Sequence, residues 1–331
     1  LHVRSRRQRQ MCIRDRFKLD PAFKDYIWGG TRLRDEYGKK CDYDKVAESW
    51  ELSCHKDGPS VVADGEYKGL TLNEYIEKAG KGVLGKNCER FENFPILIKL
   101  IDAKDNLSVQ VHPDNDYAMR VEGEYGKTEM WYVVDCDEGA TLLYGFKHEI
   151  TKEEFARRIA DNTLLEVTNA VPVKKGDVFF IKSGTLHAIG KGILIAEIQQ
   201  NSNTTYRIYD YGRVGKDGKP RELHVDKALD VTKLAPAEQY PETPVEKKDG
   251  YDIKLLSKCE YFTTYRVNVE TKAELDADEN SFNSILVLEG EPVISGGETV
   301  SAKKGESVFI SAGTGKYTVE GKCTFVLTKI D

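Results

Sequence analysis

One short segment carries two candidate metal ligands two residues apart. Residues 107–112 alternate apolar and polar side chains, which predicts a strand with one packed face and one open face. The packed face would carry Leu107, Val109 and Val111. The open face would carry Ser108, Gln110 and His112. Gln110 and His112 can therefore point at the same place, where an amide oxygen and an imidazole can both bind a metal ion.

Two further residues offer ligand atoms of the same kind. Glu129 lies two positions after Lys127, so both side chains would share one face of the next strand. His187 follows a Gly-Thr turn that would bring it back across a barrel. With the first pair they supply one amide oxygen, two imidazoles and one carboxylate, which suits Zn²⁺ or another divalent first-row ion with an open position. Two histidines and a carboxylate also describe the facial iron site, so ligand type does not exclude Fe²⁺.

The elements that must position these residues are mainly short strands. β-rich runs separated by Gly and Asp turns predict a sandwich or barrel rather than alternating strands and helices. The predicted strands are 94–101, 107–112, 129–134, 140–144, 178–182 and 193–199. The better helical patterns are 72–79 and 153–160, and Thr151 with Glu154 predicts a capping box before the second.

The chain also contains an internal repeat. Residues 174–187 align with 303–316, both running from Lys-Lys-Gly to a Gly-Thr turn, and 131–136 align with 285–290. A unit of strand, turn, strand and closing Gly-Thr turn is typical of a cupin, a small jelly-roll barrel. Two unrelated hairpins with similar turn residues are the alternative.

The two copies differ where the ligands would lie. In the second copy Lys316 stands in the place of His187, and Asn283 in the place of Glu129. We therefore expect the first barrel to hold one divalent metal ion and the second to hold none. The predicted fold is mainly β, with two cupin (jelly-roll) barrels and a few helices inserted in or flanking the first.

Composition excludes several classes of protein. The 331 residues carry a net charge of −6, which gives no electrostatic footprint for nucleic acid. No stretch approaches the roughly 18 apolar residues of a membrane span. Seven cysteines without a Cys-x-x-Cys pair fit reduced thiols in the cytoplasm rather than a disulfide framework. The expected partner is a small phosphorylated metabolite bound in a locally positive pocket, and either a monomer or a dimer is plausible.

Five motifs, in this order along the chain, resemble type I mannose-6-phosphate isomerase in its compact two-cupin bacterial form. They are Gln110-Val-His-Pro113, Lys127-Thr-Glu-Met-Trp131, Gly184-Thr-Leu-His187, Ile198-Gln-Gln-Asn-Ser202 and Thr205-Tyr-Arg-Ile-Tyr-Asp-Tyr-Gly-Arg213. The likeness runs from about Phe17, through residues 26–30 and 48–51, to the C terminus.

The resemblance implies a site and a reaction. The family's single zinc ion would be held by Gln110, His112, Glu129 and His187. Lys127 matches the family's active-site lysine, and Arg207 matches its catalytic arginine. The reaction moves a proton between C1 and C2 of a phosphosugar, and we expect the metal and Arg207 to stabilise the enediol oxyanion. Lys127 could carry the proton, with Glu197 or a metal-bound water as alternatives.

Ser108 and Trp28 complete the candidate site. Ser108 would bind the phosphate or the ligand shell, unless its role is structural. Trp28 would form a wall of the sugar pocket, unless it only packs in the core.

Other functions remain open at this point. The alternatives to the isomerase are a metal cupin acting on another sugar, an Fe²⁺ dioxygenase, and a sugar-binding cupin without catalysis.

These patterns divide the chain into four predicted parts. Residues 1–16 carry six Arg against one Asp and are expected to be an extraneous or disordered basic leader, since no apolar signal core follows. Residues 17–235 would form the catalytic metal-binding cupin domain with its helical segments. Residues 236–250, which contain three prolines, would be a linker, and 251–331 a second, metal-free cupin-like domain.

Overall fold

The computed structural model describes residues 15–215, 218–297 and 299–331. Most of the predicted leader, residues 1–14, lies outside the described residues. Its last residue, Arg16, begins the first strand. Contacts between Cα atoms group the chain into two compact units. The site unit consists of Phe23–Ser49 and Ile98–Pro241, and the C-terminal unit consists of the described residues up to Ala22, Trp50–Leu97 and Glu242–Asp331.

The described residues form mainly strands. The strands are β1 (Arg16–Asp20), β2 (Ala22–Lys24), β3 (Glu48–Leu52), β4 (Val61–Val62), β5 (Ile96–Ala103), β6 (Val109–Val111), β7 (Glu129–Cys136), β8 (Thr141–Phe146), β9 (Thr168–Pro172), β10 (Val178–Ile181), β11 (His187–Ala188), β12 (Ile193–Gln200), β13 (Tyr206–Tyr209), β14 (Val245–Lys248), β15 (Tyr251–Lys258), β16 (Thr263–Val269), β17 (Lys272–Ala277), β18 (Asn283–Gly290), β19 (Val293–Ser295), β20 (Val300–Ser301), β21 (Ser307–Ile310), β22 (Gly315–Glu320) and β23 (Cys323–Lys329). Each of the six predicted strands overlaps an observed one, namely β5 to β8, β10 and β12. β14 falls within the predicted linker and is fully exposed.

Five α-helices occur in the same residues: α1 (Arg32–Asp35), α2 (Leu72–Ala79), α3 (Asn115–Val121), α4 (Lys152–Ala160) and α5 (Val225–Val231). Three short 3₁₀ helices cover Lys81–Leu84, Lys86–Cys88 and Leu164–Glu166. None of the described helices is both long enough and apolar enough to span a membrane.

The capping box predicted for α4 forms only in part. The backbone N–H of Glu154 donates to the Thr151 hydroxyl as expected, but the Glu154 carboxylate accepts from Arg158. The complete box is found at α2, where Thr71 and Glu74 each accept a hydrogen bond from the backbone N–H of the other.

Two sheets build the site. One has the strand order β10-β7-β12-β5-β3-β2, and the other has the order β13-β6-β11-β8-β9. A single apolar cluster takes Trp131 and Ile195 from the first sheet and Leu142 and Tyr144 from the second, so the two sheets pack face to face. Among the described residues each sheet ends in two edge strands. The sheets are therefore not closed. The prediction of closed barrels from the sequence was wrong on this point.

The second face of the five-stranded sheet is covered by helices. Val109 and Val111 of β6 pack in a cluster with Phe155 of α4 and Ala228 of α5. Gln110, between the two valines, must then point to the inner side of the sandwich. Leu107 departs from the predicted alternation, because it packs in the inner cluster. It precedes the strand, where the period of two no longer applies.

The C-terminal unit has its own pair of sheets. Their strand orders are β14-β15-β16-β23-β18-β21-β1-β4 and β17-β22-β19-β20. A second apolar cluster joins Val287 and Phe325 of the larger sheet to Ile294 and Val319 of the smaller one. This unit is therefore also a two-layer sandwich with a core of its own.

The repeat found in the sequence has a counterpart in strand register. In the first copy Glu129 of β7 pairs with Ile181 of β10. In the second copy the aligned residues, Asn283 of β18 and Ile310 of β21, form the same pair. In each copy the central strand also pairs with a following long strand, β12 or β23.

Candidate metal centre

Three buried side chains converge at one end of the inner side of the site sandwich. The ligand atoms of His112, Glu129 and His187 all lie within 4.8 Å of one another. The Nε2 atoms of the two histidines are 3.2 Å apart, and His187 Nε2 is 3.3 Å from Glu129 Oε1. His112 Nε2 is 3.7 Å from Glu129 Oε2. The structure thus brings together three of the four predicted ligands around a single point.

Strand pairing and one turn bring these residues together. His187 on β11 pairs with Gln110 on β6, and Glu129 is the first residue of β7. The turn before His187 is fixed by Gly184, whose N–H donates to the His112 carbonyl at 2.8 Å. Gly184 has a φ of +83°, and a Cβ at this position would lie 2.9 Å from the Val231 carbonyl oxygen. Only glycine meets both conditions without strain.

Each histidine is oriented by a backbone carbonyl. The Nδ1 of His112 lies 2.9 Å from the Thr204 oxygen, and that of His187 lies 2.8 Å from the Thr185 oxygen. A carbonyl only accepts, so each Nδ1 carries the proton and each Nε2 keeps a lone pair facing the cluster. Burial lowers the pKa of His187 to about 4 and lowers the pKa of His112 well below its usual value. Both imidazoles are therefore neutral near pH 7, which is the form that binds a metal ion.

The cluster has the properties expected of a cation site. Glu129 is fully buried, and its Oε1 has no hydrogen-bond donor among the described residues. Burial, and next to it the charge of Glu197, raises the pKa of Glu129. Two imidazole lone pairs and a carboxylate that face one another repel unless a cation lies between them. The residues present therefore fit a divalent metal ion.

Gln110 lies beside this cluster. Its amide nitrogen is 3.3 Å from His187 Nε2, so the amide group reaches the point where the other three meet. A rotation of the amide by 180° would place Oε1 there instead, and the O and N positions of a glutamine are interchangeable in space. The Gln110 amide thus lies next to the three residues of the cluster.

A buried row of charges continues from Glu129. Lys127 Nζ lies 3.0 Å from Glu129 Oε2 and 3.8 Å from Glu197 Oε1. Lys99 Nζ lies 3.3 Å from the same Glu197 oxygen and 3.4 Å from Glu48 Oε2. Although burial acts to raise the pKa of Glu197, Lys127 and Lys99 outweigh it and the pKa is lowered. This carboxylate therefore stays ionised.

Lys99 and Glu48 were not predicted as site residues. Lys99 is the only charged residue of the predicted strand 94–101, and a lone lysine in an apolar strand was the available signal. Glu48 was visible only as part of the motif at residues 48–51. Their role depends on the pairing of distant strands, which local sequence does not specify.

Gln110 and the charged row from Lys127 to Glu48 line a pocket of about 230 Å³ within the site unit, whereas His112, Glu129 and His187 are not part of its lining. Its lining includes four predicted residues besides Gln110, namely Trp28, Ser108, Lys127 and Arg207. It also includes Glu48, Lys99, Glu197 and Arg221. Trp28 lines this pocket and also packs in the inner apolar cluster.

Arg207 lines the pocket next to the ligands. Arg207 lies on β13 and pairs there with Gln110 on β6. Its Nη1 donates to the Glu222 carbonyl at 2.9 Å, while its buried Nε has no hydrogen-bond partner among the residues that the structure describes. Burial lowers the pKa of Arg207, and the nearby Arg221 lowers it further. The guanidinium remains cationic, because an arginine side chain does not lose its proton in proteins.

The fold and the site define a cupin-domain protein with a candidate metal centre, and comparison with known proteins identifies the family. Residues 16–139 match the family model "Phosphomannose isomerase type I, catalytic domain", and residues 252–330 match "Mannose-6-phosphate isomerase, cupin domain". The chain belongs to the type I phosphomannose isomerase family. The resemblance drawn from the five sequence motifs is thus confirmed.

Relatives of known name match along nearly the whole chain. The chain is 39% identical to mannose-6-phosphate isomerase ManA of Bacillus subtilis, over 94% of this chain and 97% of that protein. It is 40% identical to the mannose-6-phosphate isomerase of Streptococcus mutans, over 86% of this chain and 88% of that protein. The crystal structure of the mannose 6-phosphate isomerase from Bacillus subtilis superposes with a TM-score of 0.89 at 38% identity, covering 95% of this chain and 99% of that one.

Proposed function

We propose that this chain interconverts mannose 6-phosphate and fructose 6-phosphate at the site around His112, Glu129 and His187. The observation that carries the proposal is the position of Lys127, 3.0 Å from the ligand carboxylate and on the wall of the pocket. A cation site with a lysine beside it suits the transfer of a proton next to a stabilised oxyanion.

The proposed ion is Zn²⁺, held by Gln110, His112, Glu129 and His187. Two neutral imidazoles, a carboxylate and an amide oxygen are ligands that zinc accepts in catalytic sites. When bound, the ion supplies a Lewis acid for the oxygens at C1 and C2 of the sugar. The two backbone carbonyls behind the histidines hold the rings in the orientation and tautomer that this binding requires.

Lys127 is the proposed proton carrier. Its ammonium group lies between Glu129 and Glu197, so its position is fixed on two sides. Glu197 is less suited to this role, since its lowered pKa makes it a weak base. Trp131 Nε1 donates to Glu197 at 2.8 Å, and Lys99 lies at its other oxygen. We assign Glu197 to holding Lys99 and Lys127 in place.

Arg207 is proposed to stabilise the negative charge that develops on the substrate. Its buried Nε has no partner within the described residues and is free to donate to a ligand. A fixed guanidinium in a pocket poor in water contributes strongly to such stabilisation. Ser108, which lines the same pocket, is proposed as a hydrogen-bond donor to substrate, and Trp28 as a wall for the sugar ring.

The two-cupin organisation, with a catalytic domain at 17–235, a linker at 236–250 and a metal-free domain at 251–331, is also part of the proposal. The shared register of β7 with β10 and of β18 with β21 supports it. In the second copy Asn283 donates to the Tyr317 hydroxyl and the Asp276 carbonyl, both at 2.9 Å. Lys316 is exposed. Neither residue is therefore placed to replace Glu129 or His187 as a ligand.

A cytoplasmic location is also proposed, because the six described cysteines all have free thiols.

The test is a coupled assay that follows fructose 6-phosphate as it becomes mannose 6-phosphate, run in parallel with an oxygen electrode. We expect interconversion without oxygen uptake. Arg207→Gln should lose most of the turnover, whereas a sugar-binding protein would only change its ligand affinity. Oxygen uptake on substrate addition, or no interconversion with any divalent ion, would contradict the proposed function.

A further inference from the structure

The C-terminal unit contains a pocket of its own, with a volume of about 340 Å³. Its lining comes from β14, β15, β16, β18 and β23 of the larger sheet and from β17 of the smaller one. Several lining side chains, among them Ile253, Tyr265 and Leu275, pack against the apolar core of this sandwich. The pocket therefore opens into the space between the two sheets, and its volume falls within the range of roughly 300–1,000 Å³ that is usual for small-molecule sites.

This second pocket corresponds in position to the site pocket, because the two sandwiches share one strand order. In the C-terminal unit the order β21-β18-β23-β16-β15-β14 repeats the order β10-β7-β12-β5-β3-β2 of the site unit. In the smaller sheets the order β17-β22-β19-β20 repeats β6-β11-β8-β9. The lining of the site pocket includes residues of β3, β5, β6 and β12, and that of the second pocket includes residues of their counterparts β15, β16, β17 and β23. The two copies thus keep a cavity at the same place in the fold.

The second pocket has an open mouth, because one strand of the site unit has no counterpart beside it. In the site unit the smaller sheet continues beyond β6 to β13, which carries Arg207. Among the described residues β17, the counterpart of β6, is an edge strand. The side chains of Tyr251, Ile253 and Tyr265 on the facing sheet stay half-buried. They give the pocket an apolar floor that a ligand can reach.

Asn283, which stands in the place of Glu129, gives this pocket a buried polar group. It lines the pocket and is only 2% exposed. Its Nδ2 donates to the Asp276 carbonyl and to the Tyr317 hydroxyl, both at 2.9 Å. Because a carbonyl only accepts, this atom is the amide nitrogen, and both of its N–H bonds are used. No donor of the described residues reaches the amide oxygen, so Oδ1 remains an acceptor for a ligand that brings a hydroxyl group.

The charged residues at the second pocket balance one another. The lining contains two carboxylates, Glu246 and Asp276, and two ammonium groups, Lys248 and Lys329. Lys248 Nζ lies 3.0 Å from Glu246 Oε2, and Lys329 Nζ lies 2.7 Å from Asp331 Oδ1. An ionic ligand gains little in such surroundings, because each ammonium group already has a carboxylate beside it. The pocket therefore favours a neutral ligand.

We propose that this pocket is a second binding site of the protein and that it takes an uncharged pyranose, a sugar or glycoside without a phosphate group. The C–H face of such a ring packs against Tyr265 and Ile253, and one hydroxyl donates to Asn283 Oδ1. Its other hydroxyls find polar partners at the charged rim, so that burial of the ring leaves few polar groups unpaired. A purely apolar molecule would instead leave Asn283 Oδ1 buried without a donor. The site needs neither the metal ion nor the isomerase reaction.

The test is a titration with methyl α-D-mannopyranoside, followed through the amide NMR resonances of the protein. This probe carries no charge, and its blocked C1 prevents it from being a substrate of an aldose isomerase. We expect saturable binding, with shifts at Tyr265, Leu275 and Asn283. Tyr265→Ala should raise the dissociation constant by about 5- to 50-fold, because the ring that packs against the sugar is lost.

Tyr261→Ala is the matched control, because this tyrosine belongs to the same unit and does not line the pocket. It should leave the dissociation constant within about two-fold of the wild type. Melting temperatures of both variants control for folding. If Tyr265→Ala does not fold, the resonances that shift in the wild type decide, and shifts confined to the site unit refute the second site.

Three further results would overturn the proposal. One is the absence of saturable binding at glycoside concentrations up to about 100 mM. Another is an equal dissociation constant in Tyr265→Ala and the wild type, which would mean that the sugar binds elsewhere. The third is binding of phenol, but not of the glycoside, at the resonances of this pocket, which would make it a site for apolar ligands. Loss of the isomerase assignment would change none of these outcomes.

Discussion

Replacing Lys99 by methionine should destabilise the protein strongly. The Lys99 ammonium is 3.3 Å from Glu197 and 3.4 Å from Glu48, and its side chain is 4% exposed. At an effective dielectric constant of about 20, each pair attracts by about 5 kcal/mol. Much of this attraction is offset by the cost of burying the charges, several kcal/mol per ion. The variant keeps that cost for two carboxylates and loses their shared cation, so we expect the free energy of unfolding to fall by about 3–5 kcal/mol.

The measurement is urea unfolding of the metal-free protein followed by tryptophan fluorescence, since Trp131 is hydrogen-bonded to Glu197. Adding Glu48→Gln to Lys99→Met removes the charge of one of the two carboxylates that Lys99 had faced and should restore about 1–2 kcal/mol. Lys174→Met is a matched control, because this lysine is 84% exposed, and it should cost less than about 0.5 kcal/mol. A Lys99→Met variant within about 1 kcal/mol of the wild type, or a double variant less stable than the single one, would refute the reasoning.

Two further predictions concern the metal centre itself. Lys127→Ala should lower kcat by about 10²- to 10⁴-fold with its metal content intact by mass spectrometry, because the lysine is the proposed proton carrier and not a proposed ligand. Normal turnover in this variant would remove that role. Gly184→Ala should cost about 1–3 kcal/mol of stability and weaken metal binding in calorimetry, because a side chain at φ +83° is strained and the turn positions His187. If its metal affinity equals that of the wild type, the turn does not control the ligand geometry.

The meeting of His112, Glu129 and His187 could be predicted from the sequence because it depends on local rules. The period of two along a strand places Gln110 and His112 on the same side, and β6 has this alternation in the structure. The Gly-Thr turn before His187 is specified by a residue type that tolerates positive φ. The aligned register of Glu129 and Asn283 follows from the repeated motif.

The residues that sequence reasoning missed depend on long-range pairing. Lys99 meets both Glu48 and Glu197 only because β3, β5 and β12 are neighbours in one sheet. Arg221 follows the last strand of the site in an irregular segment, where no periodicity indicates the direction of a side chain. Leu107 was assigned to the wrong side for a related reason, since the strand that would have fixed its face begins two residues later.

The central claim, that one divalent ion bound by His112, Glu129 and His187 makes this chain an isomerase, is tested most directly by titrating the metal-free protein with Zn²⁺ while measuring the conversion of fructose 6-phosphate. We predict that the rate rises in proportion to added metal and stops rising at one ion per chain, and that Glu129→Gln shows no such rise. Full activity in the metal-free protein, or an unchanged titration in Glu129→Gln, would contradict it.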